Sequence, residues 1–87
     1  MSTFRFGYGT ICILHSMHHL SDYSFHALFT IPEEADEFLR KVPPIGDFLA
    51  FRVPDGWTAE RLFEVASSVD ADGKLPRGVR QWKSTTV

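Results

Sequence analysis

Eighty-seven residues, 44% apolar and 23% charged, form one domain of ordinary globular composition spanning residues 1–87. A single cysteine excludes an internal disulfide, and no apolar run reaches the ~20 residues of a membrane span. The net charge of −2 and a pI near 6.0 run against a dedicated nucleic-acid domain.

The opening residues, MSTFRFGYGT, lack a basic start followed by an apolar stretch. No signal peptide is therefore expected, and a reducing, cytoplasmic setting is the simplest reading. The charge is unevenly spread. Residues 1–72 hold all eleven acids and five bases, whereas residues 73–87 hold Lys74, Arg77, Arg80 and Lys83 and no acid. This basic C-terminal segment suits an acidic partner, or the acidic body of its own chain.

Residues 3–15 read as a strand. Phe4, Phe6 and Tyr8 alternate with Thr3, Arg5 and Gly7, and the following ICIL is apolar on both faces, as in a central strand covered on both sides. Gly7 and Gly9 around Tyr8 suggest a bulge or a close backbone approach. Residues 23–31 read as a second strand, with Tyr23, Phe25, Ala27, Phe29 and Ile31 on one face, joined to the first by a polar hairpin loop.

A helix near 32–42 follows. Thr30 and Glu33 have capping-box spacing, Pro32 suits the first helical position, and acids at the start and bases at the end complement the helix dipole. Its apolar stripe is Ala35, Phe38, Leu39 and Val42, and Pro43 and Pro44 end it. Residues 46–53 form a mostly buried third strand. Pro54, Asp55 and Gly56 then make a turn, and Thr58 caps a second helix near 59–69 with Leu62, Val65, Ala66 and Val69 inward. Residues 79–87 suit a short edge strand, with Lys83 as an edge guard.

The expected fold is α+β in two layers. Its order is ββαβα(β), and a small, mainly antiparallel sheet carries two helices on one face. Phe25, Phe29, Phe38, Leu39, Leu49, Phe51, Leu62 and Val65 are expected in the core. With helices on one face only, the other face would meet solvent or a partner.

All four histidines, His15, His18, His19 and His26, fall within twelve residues, three positions after Cys12. These five side chains are the candidate metal ligands. However, the spacing matches no standard zinc finger, and Cys12 and His15 have opposite strand parity, so no metal or other cofactor is expected. A Cys–His catalytic pair is opposed by the apolar surroundings of Cys12, and the acids near residue 33 are accounted for as helix N-terminal charge. No catalytic set is visible, and an enzyme is not expected.

The leading expectation is a non-enzymatic protein-binding module. A compact acidic domain without catalytic residues fits the profile of small phage-encoded proteins that block host machinery, anti-CRISPR proteins included. Such a module occludes the surface of a host defence or nucleic-acid-handling complex. The candidate contact residues are the acids on exposed helix faces, Glu33, Glu34, Asp36, Glu37, Glu60 and Glu64, and the rings Trp57 and Trp82. The alternative is direct nucleic-acid binding through Lys74, Arg77, Arg80, Trp82 and Lys83, with Phe6, Tyr8 and Tyr23 as stacking groups. A metal-binding module using the histidine cluster comes third. No membrane partner is expected.

Overall fold

The computed structural model describes residues 5–17, 22–41 and 46–84. Its elements are β1 (Ile11–Ser16), β2 (Ser24–Phe29), α1 (Pro32–Lys41), β3 (Asp47–Arg52), α2 (Ala59–Ala66) and β4 (Gln81–Ser84). The strands form one antiparallel sheet in the order β2-β1-β3-β4. The α+β class and the ββαβαβ order are those expected. No helix among the described residues is long and apolar enough to cross a membrane.

The helices lie on opposite faces, giving three layers where two were expected. Ile11 and Ile13 of β1, with Phe48 and Ala50 of β3, pack under Ala35, Phe38 and Leu39 of α1. Cys12, Leu14, Leu49 and Phe51 point the other way, onto Leu62, Val65 and Ala66 of α2. The cause is the composition of the two central strands. ICIL and FLAF are apolar at every position, so each strand is buried only when both of its faces are covered.

β1 begins at Ile11, not Thr3, because the chain turns at Tyr8 and Gly9, where Gly9 has φ +95°. Before the turn, the Phe6 N–H donates to the Trp57 carbonyl (2.8 Å) and the Phe6 carbonyl accepts from Gly56 (2.9 Å). Phe6 is thus drawn into the α2-side core at 6% exposure, while Tyr8 stands 91% exposed on the turn. Phe4 lies outside the described residues.

A bulge in the β1–β2 pairing divides the expected common face of β2. Leu14 pairs with Phe25, but Ile13 pairs with Ala27, leaving His26 as the extra residue. Phe25 therefore turns toward α2, where its ring meets the edge of Phe63 at 5.1 Å, and Phe29 turns toward Phe38 of α1 at 5.3 Å. Phe25 is 38% exposed rather than buried. Phe29, Phe38 and Leu39 are half-buried, whereas Leu49, Phe51, Leu62 and Val65 are buried as expected.

Pro32 is the first residue of α1, which puts Ile31 at the cap and Thr30 one position too early for a capping box. Val42, Pro43 and Pro44 lie outside the described residues. α2 has the expected cap: the Thr58 hydroxyl accepts from the Arg61 N–H at 3.2 Å. This helix ends at Ala66, short of the expected 69, yet Val69 stays buried as the chain crosses to Tyr23, whose N–H donates to the Val69 carbonyl.

Candidate interaction surface

Cys12 is fully buried on the α2 side, where desolvation pushes its thiol pKa up to about 12. A thiol held protonated in this way is neither a nucleophile nor a ready metal ligand. The sheet does bring His15 and His26 together across β1 and β2, with ring centroids 5.3 Å apart. Both rings lie on the α1 side, beside Phe48, away from Cys12. His18 and His19 lie outside the described residues. Among the described residues no group of three or more His, Cys, Asp or Glu side chains is placed to hold a metal ion.

Partial burial, and next the electrostatic influence of neighbouring His15, lower the pKa of His26 below its ordinary 6.5. The folded state thus prefers neutral His26, while the unfolded chain takes up a proton near the ordinary value. The native state accordingly keeps its full margin above pH ~6.5 and loses part of it as the pH falls from there through the folded-state pKa. Melting temperatures followed from pH 8 to pH 5 will show this decline, and His26→Gln will flatten it. An unchanged slope in the variant would refute the assignment.

The six candidate acids do not form one patch, because α1 and α2 lie on opposite faces. Three are engaged with bases. Asp36 binds Lys83 of β4 and Arg40 (2.9 Å), and these contacts, Lys83 foremost, hold its carboxyl below the usual range. Glu37 pairs with Lys41 and Glu64 with Arg61, each at 2.8 Å. Glu33, Glu34 and Glu60 make no ion pair among the described residues.

Both tryptophans sit half-buried at core edges. Trp57 packs against the α2-side core with the Arg61 guanidinium 5.3 Å from its ring centre, and Trp82 packs against the α1-side core with the Lys83 ammonium at 4.7 Å. The basic segment is divided as well. Lys83 is tied to Asp36, and Lys74 follows a turn where the Asp70 carboxylate accepts its N–H. Arg80 lies at the far end of β4, beside Arg52, whose N–H donates to the Arg80 carbonyl.

That end of the sheet collects the features left unengaged. The pairings of Ile11 with Phe29 and with Arg52 show that β1 starts where β2 and β3 finish, and both helices begin there too. Tyr8 and Gly9 line a cleft with Arg52, Asp55, Gly78 and Arg80. A Cβ placed on Gly9 would lie 3.9 Å from the Thr30 carbonyl, so the Tyr8 turn rests against the approach to α1. On that side follow Ile31, 47% exposed, and the unpaired Glu33 and Glu34. On the other side stand Arg52 and Arg80, exposed and without ion-pair partners among the described residues.

This end of the sheet thus combines an exposed ring, an exposed apolar Ile31 and charges of both signs, the mix of groups found in protein-contact surfaces. Such an arrangement could bind through ring burial and directional charge. Arg52 and Ile31 are exposed residues of this end that sequence reading did not single out, and Tyr8 was assigned to a strand face. The signal for Tyr8 was present in Gly7 and Gly9, which bracket it as turn residues. Comparison of the chain with protein-family models, curated proteins and solved structures finds no match.

Proposed function

We propose that this chain is a non-enzymatic protein-binding module acting in the cytoplasm by covering a partner's surface, in the manner of a small phage-type inhibitor of a nucleic-acid-handling complex. The observation that carries this reading is Tyr8, an aromatic side chain 91% exposed on a glycine turn, whereas the other described Phe, Tyr and Trp rings, Phe25 and Phe63 apart, are buried or half-buried. Tyr and Arg lead the residues that dominate binding energy, and here Tyr8 stands beside Arg52 and Arg80. Glu33 and Glu60, at the starts of the two helices, supply the acidic contacts toward a basic groove on the partner. The buried Cys12, its thiol held protonated by desolvation, argues against thiol chemistry at that position.

The test begins with a photo-crosslinking phenylalanine analogue at position 8, irradiated in native host cells, and identification of the attached polypeptide. Against that partner, Tyr8→Ala is expected to weaken binding about 30-fold, the size of a hot-spot loss of about 2 kcal/mol. The double reversal Glu33→Lys with Glu60→Lys is expected to slow association and reduce its salt dependence. The competing outcome is nucleic-acid binding. If wild-type protein binds DNA or RNA at micromolar concentration in physiological salt, and Arg52→Glu with Arg80→Glu abolishes it while position 8 crosslinks no polypeptide, the protein-binding reading falls.

A further inference from the structure

We propose that the chain pairs with a second copy of itself along the open edge of β2, joining two four-stranded sheets into one of eight strands. This goes beyond the proposed function and uses the β2 flank of the molecule, which shares only Glu34 with the surface around the Tyr8 turn.

β2 ends the sheet and has no second strand neighbour among the described residues. Its sequence, SFHALF, contains neither a Lys, Arg, Asp or Glu charge nor a proline, two of the devices that keep an edge from pairing. β4 at the opposite edge carries Lys83. The one irregularity of β2 is its bulge, and that turns His26 toward α1, against Phe38, rather than outward. On the α2 face the same edge is bordered by the exposed ring pair Phe25 and Phe63.

The charges on α1 say what fits there. Asp36 reaches toward β4, so at 100° per residue the flank facing away from β4 carries Glu34 and Lys41. Glu34 lies near the helix start and Lys41 at its end. α1 follows β2 after a two-residue link and runs back along it, and Phe38 touches both His26 (5.6 Å) and Phe29 (5.3 Å), centring the helix on the middle of the strand. An isologous two-fold pairing of β2 with its copy sets the two α1 helices side by side and antiparallel. Glu34 of each copy then faces Lys41 of the other, whose ammonium also meets the exposed Glu37 of its own helix at 2.8 Å. A strand without Lys, Arg, Asp or Glu, beside a helix acidic at one end and basic at the other, is complementary to its own copy.

The test is sedimentation equilibrium or light scattering on the full chain at low ionic strength, with circular dichroism confirming that each variant folds. The wild type is expected at twice its 9.9 kDa mass. Glu34→Lys and Lys41→Glu should each raise the dissociation constant at least tenfold, and the double swap of both should restore it. Phe25→Asp should give monomer, and added salt should weaken the pair. A wild type that stays monomeric at several hundred micromolar overturns the proposal, as does a dimer indifferent to the single changes or a double swap that fails to restore it. Tyr8→Ala leaves the mass unchanged, so failure here is separable from failure of the protein-binding reading.

Discussion

Gly46→Ala is expected to destabilise the fold by about 2–5 kcal/mol, combining left-handed backbone strain of about 1–2 kcal/mol with overpacking of about 1–3 kcal/mol. Gly46 precedes β3 with φ +80°, and a Cβ there would overlap the Ser16 carbonyl, meet His15 Nε2 at 3.0 Å and lie 3.2 Å from the Met17 Cα. Two of these neighbours are backbone at the end of β1 and cannot swing aside. Gly56, at φ +90° with nothing within 4 Å of its virtual Cβ, is the matched control. Gly56→Ala meets backbone strain alone, about 1–2 kcal/mol. Urea denaturation of both variants decides the point, and equal losses would show that the crowding at Ser16 does not exist.

Phe51→Ala is expected to cost about 3–5 kcal/mol, the range for truncating a fully buried aromatic. Phe51 has no exposed surface and sits opposite Cys12 in the sheet, within the cluster that also holds Leu62 and Val65. For a domain of this size each kcal/mol moves the melting temperature by roughly 4–8 °C, so a drop of at least ~12 °C is expected. Phe63→Ala, at a site 52% exposed, should cost less than about 1 kcal/mol. Thermal melts of the two variants that failed to separate would contradict the placement of the core.

The contrast between these two rings marks what was legible in the sequence. The period of 3.6 identified the inward stripe of α2, Leu62, Val65 and Ala66, and placed Phe63 outside it. Strand positions were legible wherever apolar runs were continuous, as in β1 and β3. The number of layers was misread, although ICIL already implied cover on both faces. Assigning both helices to one side contradicted that run. The bulge at His26 had no advance signal, because strand alternation looks the same whether or not one residue is skipped. Its effect was to send Phe25 and Phe29 to opposite faces. The Tyr8 surface was hidden for a related reason. FRFGYG alternates like a strand, but the turn at Tyr8 and Gly9 separates Arg5 and Phe6 from β1, and they pair instead with Gly56, Trp57 and Thr58. Charge was legible as a count but not as a pattern, since the contact of Lys83 with Asp36 joins residues 47 positions apart.

The strand order also dictates a sequence of events in folding. Pairing β1 with β2 brings together His15 and Ser24, nine positions apart, whereas pairing β1 with β3 joins Ser16 to Asp47, thirty-one apart. The longer closure costs about 1 kcal/mol more chain entropy, and the contacts of β3 repay it only once α1 has been laid down between them. The hairpin of β1 and β2 is therefore the natural nucleus, and the rate at which native molecules appear is set by the arrival of β3 at its side. Destabilising changes confined to β4 should then speed unfolding and leave that rate nearly untouched.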